Sequence, residues 1–228
     1  MEELYRQLRI RPVSEEECLA AFEDWERRTG KKREHDKVFM PGIPLEEAAA
    51  VCDGYCWPIT EKLAPMIAAE LEGADTVLEV GFGTALRLTY YAKKVPDLNY
   101  RGVESDALAV RFARQRLNGL GLTEVVLEEK SLQDLNPSER RFSRVILAEV
   151  STLYEEEGFK TRAHALKLVD DKPGSKFIVT NYATWSEREL VLNVQFASLA
   201  QKEGLQFVKS ECFDEDMMGH LVVYERRR

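Results

Sequence analysis

Apolar and polar positions change period once along this chain, close to residue 73. Before that point the spacing is helical, with no strand-like alternation. Ser14-Glu15-Glu16-Glu17 places an N-cap serine three residues before a glutamate that can reach back to it, the pattern of a capping box. Leu19, Phe22 and Trp25 then recur on one face, and Gly30 stops the segment. A Pro/Gly-rich loop, Phe39 to Pro44, separates it from a helix running from Leu45 to about Val51. After Trp57-Pro58 another helix is predicted as far as Leu71, ended by Gly73.

From Asp75 onward short apolar runs alternate with amphipathic stretches, as a parallel sheet with crossover helices requires. Strands are predicted near 75–80, 99–104, 123–129, 143–149, 175–181, 206–212 and 219–226, and helices over 84–94, 106–119, 155–169 and 186–203. The last two strands are separated only by Asp214-Glu215-Asp216 and neighbouring residues up to Gly219, which predicts a hairpin. Residues 1–73 therefore read as a helical cap or lid, and residues 74–228 as an α/β domain.

Chemistry concentrates at the first strand-to-helix turn. Thr76-Val77-Leu78-Glu79-Val80 is an apolar strand ending in a carboxylate, and Gly81-Phe82-Gly83-Thr84-Ala85 is a glycine-spaced turn. Glycine permits backbone conformations closed to other residues and lets a ligand approach the main chain. The next strand ends at Glu104-Ser105-Asp106, where a doubly wound sheet grips a ribose through its hydroxyls. These residues imply an adenosine-containing cofactor. A dinucleotide fingerprint requires a small residue three positions after the second glycine, and here that residue is Leu86.

The spacing Glu79-x-Gly81-x-Gly83-x-Ala85 resembles the first motif of class I S-adenosylmethionine-dependent methyltransferases, with alanine for the third glycine. The resemblance implies a Rossmann-like seven-stranded, mostly parallel sheet with an antiparallel last strand. It also implies S-adenosyl-L-methionine as cofactor. Glu79, Gly81 and Gly83 would lie near the methionyl part, Glu104 and Ser105 near the ribose, and Ser131 and Leu132 near the adenine. Ser131 stands where family members often carry an acid, and Asp134 reads equally as a surface residue.

The fourth strand is expected to end in Glu149, a carboxylate delivered to the cleft floor, where it can orient a cationic amine and take up its proton. Tyr154 and Glu155 follow it on the acceptor side, although Glu155 to Glu157 also suit the first turn of a helix. Tyr55, Trp57 and Tyr182 are candidate aromatic contacts for a cation, and each could equally be core. The order of Tyr55 to Thr60, the glycine motif, Glu104 to Asp106, the strand-four acid and Asn181 to Trp185 resembles the guanidinoacetate N-methyltransferase group and, more distantly, protein arginine methyltransferases. That resemblance implies Glu149 as the residue holding the methylated guanidinium. The chain departs from it by having Glu149-Val150-Ser151-Thr152 in place of Asp-Thr-Tyr-Pro.

Composition narrows the partners. The net charge of −8 opposes a broad nucleic-acid surface, leaving Arg27-Arg28 to Arg33 and Arg226 to Arg228 as local basic runs. Four scattered cysteines and three separated histidines suggest reduced thiols and no metal site. The Met-Glu-Glu start and the absence of a long apolar run suggest a cytoplasmic protein without a membrane span. The leading expectation is N-methylation of a small cationic amino or guanidino metabolite, or less favourably of a protein side chain. A nicotinamide-dependent oxidoreductase, a non-catalytic S-adenosylmethionine-binding module and an aminopropyl transferase are the alternatives.

Overall fold

The computed structural model of the chain describes residues 1–32, 39–139, 141–148, 156–182, 187–214 and 219–227, with the side chains of 156–158, 181–182, 187–193 and 214 outside the description. Four helices come first: α1 (Glu2–Leu8), α2 (Glu15–Thr29), α3 (Leu45–Tyr55) and α4 (Trp57–Ala69). The sheet domain then runs β1 (Thr76–Val80), α5 (Leu86–Lys94), β2 (Asn99–Glu104), α6 (Ala107–Gly119), β3 (Val126–Glu129), β4 (Arg144–Leu147), α7 (Glu156–Leu166), β5 (Lys176–Tyr182), α8 (Glu187–Lys202), β6 (Leu205–Asp214) and β7 (Gly219–Arg226).

The predicted caps form. Ser14 accepts the Glu17 N–H while the Glu17 carboxylate accepts the Ser14 N–H, and Gly30 closes α2 in the left-handed region at φ 66°. Asp106 caps α6 by accepting the Leu108 N–H at 2.8 Å. Several boundaries differ from those the sequence predicts. The stretch Tyr55 to Thr60 straddles two helices, because the chain turns at Cys56 (φ −78°, ψ 0°) and Pro58 begins a new first turn. The third strand starts at Val126 and not at residue 123.

The seven strands are ordered β3-β2-β1-β4-β5-β7-β6. The first five pair in parallel, and β7 lies antiparallel between β5 and β6, so the final hairpin forms as predicted. One face of the sheet, carrying Val77, Ile146, Ile178 and Val223, packs on α4, α5 and α6 through Leu63, Ile67, Leu88 and Val110. The other face, carrying Leu78, Val145, Phe177 and Tyr224, packs on α7 and α8 through Leu166 and Phe196. A smaller cluster, including Trp25, Phe39, Leu45 and Phe112, docks α2 and α3 onto α6.

Gly102 in β2 shows how closely this core is fitted. A Cβ at that position would lie 2.5 Å from Phe82 Cδ1 and 2.9 Å from Leu127 Cδ2. Gly102→Ala is therefore expected to cost about 2 kcal/mol by overpacking. Because Phe82 sits in the glycine turn, the same change should weaken cofactor binding. Urea denaturation of the variant, with and without S-adenosylhomocysteine, checks both effects.

Candidate cofactor and acceptor site

Site residues gather where parallel strands end and helices begin. Gly81, Gly83 and Ala85 all take left-handed backbone conformations, at φ 67°, 52° and 56°. For Ala85 this costs roughly 1–2 kcal/mol relative to the right-handed region. The Ala85 carbonyl accepts both the backbone N–H and the hydroxyl of Thr89, at 2.9 and 2.7 Å. The Gly81 N–H donates to the Val103 carbonyl at 2.9 Å, tying the turn to β2.

Glu104 lies half-buried beside this turn. One carboxylate oxygen accepts the Gly83 N–H at 3.2 Å, and the other accepts the Asp106 N–H at 3.0 Å and faces the Ser105 hydroxyl at 3.5 Å. Among the described residues no lysine or arginine pairs with it. The carboxylate is aimed by backbone donors, and its charge is left for hydroxyl donors arriving from the cleft. That is the chemistry a ribose requires, so the residues present fit an adenosine cofactor.

At the neighbouring strand end, the Lys130 N–H donates to the Glu104 carbonyl at 2.9 Å. Ser131 opens a short 3-10 turn over Leu132–Asp134, and its N–H donates to Asp134 at 3.1 Å. Asp134 is thus an exposed capping residue. Leu132 is buried in the cluster that includes Val80 and Val103, next to the tips of β1 and β2. Sequence and structure therefore bring Gly81, Gly83, Glu104, Ser105, Ser131 and Leu132 together along three adjacent strand ends.

Glu79 is placed differently from a residue reaching the ligand directly. Its side chain is 1% exposed and meets the Arg87 Nε at 3.4 Å, while its second oxygen is buried without a hydrogen-bond partner. Burial pushes its carboxyl above the usual range, against the opposing pull of Arg87. Arg87, from the first turn of α5, also donates to the Ala148 carbonyl at 2.7 Å. It thereby spans the ends of β1 and β4. Sequence reading passed over Arg87, although a cation four residues after a glycine turn is a readable signal.

On the acceptor side, Glu149, Tyr154 and Glu155 lie outside the described residues. Tyr182 ends β5 opposite Gly219, and its side chain is outside the description. Tyr55 is 45% exposed at the end of α3. Trp57 stacks on Tyr5 of α1 with ring centroids 3.7 Å apart, and its indole N–H donates to Glu61 at 3.3 Å. Of the basic runs, Arg27 and Arg28 pair with Asp24, and Arg28 also with Glu47. Arg226 donates to the carbonyls of Asp170 and Glu203. Both runs are at least partly held within the protein's own contacts. No helix among the described residues is long and apolar enough to cross a membrane.

The strand order, the antiparallel last strand and the glycine turn with the strand-end acid Glu104 beside it define a class I methyltransferase fold. A family described as a methyltransferase domain matches residues 77–169, from β1 into the loop after α7. Residues 77–169 thus match a methyltransferase domain, and the fold is that of class I S-adenosylmethionine-dependent methyltransferases. No curated protein matches it significantly. Similar solved structures include an O-methyltransferase family protein from Burkholderia thailandensis (15% identity, 79% of this chain, 60% of that one, TM-score 0.61). Others are the N-methyltransferase NodS from Bradyrhizobium japonicum WM9 (14%, 77% and 99%, TM-score 0.58) and magnesium protoporphyrin IX methyltransferase from Synechocystis PCC 6803 with bound S-adenosylmethionine (15%, 90% and 91%, TM-score 0.58). The matched part of this chain spans about 60% of the Burkholderia protein's length.

Proposed function

We propose that this chain transfers a methyl group from S-adenosylmethionine to a nitrogen of a small cationic metabolite bearing an amino or guanidino group, in preference to a protein side chain. The observation that carries the reading is the position of β4. Its four residues are all buried, it pairs directly with β1, and the carbonyl of Ala148, the residue after it, accepts a hydrogen bond from Arg87. Glu149 is the next residue in the sequence. A carboxylate there would orient a cationic nitrogen and accept its proton.

When bound, the cofactor supplies an electrophilic methyl on a sulfonium. The chain's own part is to grip the ribose with Glu104, shape the methionyl side with Gly81 and Gly83, seat the adenine against Ser131 and Leu132, and exclude water. Residues 1–73 act as the cap over the domain 74–228. Tyr55, Trp57, Tyr154, Glu155 and Tyr182 are proposed to line the acceptor side. The Burkholderia relative's name gives an oxygen acceptor as the second reading.

Calorimetric titration with S-adenosylmethionine, S-adenosylhomocysteine and NAD, followed by a screen of amino, guanidino and hydroxyl acceptors, tests the proposal. Methyl transfer to hydroxyl compounds alone would replace it. Glu149→Gln keeps the side chain's shape and removes its charge, so turnover should fall about 100-fold or more while cofactor affinity stays within about twofold. Equal losses in both would mark Glu149 as structural.

A further inference from the structure

Asp53 lies on α3, in the N-terminal cap, and is 4% exposed. It accepts a short hydrogen bond from the Thr84 hydroxyl, in the middle of the glycine turn, and pairs with the equally buried Arg116 of α6. Arg116 also donates to the Thr84 carbonyl at 3.0 Å and lies 4.7 Å from the centre of the Phe112 ring. Both the side chain and the backbone of Thr84 are thus held by a buried ion pair, one half of which comes from the cap. Thr84 stands between Gly83, whose N–H aims Glu104, and Ala85, which is held in a left-handed conformation.

A second contact works on the same turn. Leu86, the residue immediately after Ala85, is buried in a cluster with Leu4, Tyr5 and Ile10 from the start of the chain. The cap is itself seated without slack. The Val13 N–H donates to the Gly54 carbonyl at 3.1 Å, and a Cβ on Gly54 would collide with the Arg11 carbonyl and the Val13 side chain.

We infer that Asp53 is a positioning residue for cofactor binding: through Thr84 and Arg116 it holds the glycine turn in its binding conformation, so that α3 is a fixed part of the cofactor site and not a lid that lifts from it. This inference rests on the assignment of the turn to S-adenosylmethionine. Its physical basis is the cost of separating a desolvated pair. Lifting α3 would leave Arg116 buried without its carboxylate and the Thr84 hydroxyl without its acceptor. A strained turn kept in place by surrounding structure relaxes when that structure is removed.

The test uses the full chain, with S-adenosylhomocysteine as calorimetric probe and hydrogen exchange of amides 81–86 in the ligand-free protein. Thr84→Val removes only the hydroxyl, and Asp53→Asn removes the charge that faces Arg116. Each should weaken binding about tenfold, the effect of losing one charge-assisted hydrogen bond. Each should also speed exchange in the turn, and Thr84→Ser should restore wild-type affinity within about twofold. If Asp53→Asn does not fold, Thr84→Val and Thr84→Ser decide. Variants that bind and exchange like wild type overturn the inference, as does a lower melting temperature with unchanged affinity and unchanged exchange. If wild type itself binds no sulfur ligand, the cofactor assignment falls, and the inference with it.

Discussion

Replacing Glu104 by alanine is expected to weaken S-adenosylmethionine binding about 100-fold, from the loss of two charge-assisted hydrogen bonds of roughly 1.5 kcal/mol each. The side chain is half-buried and engages no cation among the described residues, so stability should change little beyond the two released backbone donors. Glutamine is the more instructive substitution. Each oxygen of the present carboxylate already accepts a backbone N–H, from Gly83 on one side and Asp106 on the other. An amide must turn its NH2 toward one of them, so Glu104→Gln should bind nearly as poorly as alanine in spite of its shape. Calorimetry on both variants checks this. Wild-type affinity in Glu104→Gln would remove Glu104 from the ribose site.

The largest stability effect is expected at Arg144→Leu. The guanidinium of Arg144, in a residue 5% exposed, donates to the carbonyls of Glu70 (2.6 Å), Ser143 (2.8 Å), Gly174 (2.9 Å) and Glu72 (3.0 Å). It stitches the chain entering β1 to the start of β4, where the Ser143 hydroxyl also bonds Asp75 and Thr76. Burial pulls its pKa down against the opposing carboxylates of Glu70, Glu225 and Asp75, and the carbonyl set takes up its donors. Leucine fills only the inner part of that volume and leaves those acceptors unpaired. The loss should be about 4 kcal/mol, on the order of 10 °C in Tm for a chain of this size. Arg144→Lys retains a cation with fewer, undirected donors and should recover part of the difference. Thermal unfolding followed by circular dichroism measures both variants. A change of less than about 1 kcal/mol in Arg144→Leu would show that water satisfies those carbonyls.

Much of the architecture can be read directly from local pattern. The Ser14–Glu17 capping box, the Gly30 stop and the final hairpin each depend on neighbours within a few residues, and each forms as the sequence predicts. The position of Glu104 beside the glycine turn was legible too, because parallel strands deliver their carboxyl-end residues to one edge. Asp53 was not. It falls in the stripe of Leu45, Ala48 and Ala49 on α3, and a charge inside an apolar stripe was its one available signal. Leu86 was legible as a departure from a dinucleotide turn, while the hydrophobic contacts that accept it come from residues 4, 5 and 10.

By itself, the sequence determined the fold class: an α/β domain of the class I methyltransferase type, whose glycine turn and following carboxylate announce an adenosine cofactor. Those features are local, since backbone conformation and strand-end placement follow from residue type and period. Tertiary structure alone decided that Glu79 is sealed against Arg87, that Trp57 stacks on Tyr5, and that Asp53 reaches Thr84 and Arg116. Asp53 and Arg116 are 63 residues apart in the chain. Periodicity assigns each of them a helix face. Which buried charges meet is decided only when packing brings those faces together and desolvation makes an unpaired charge costly.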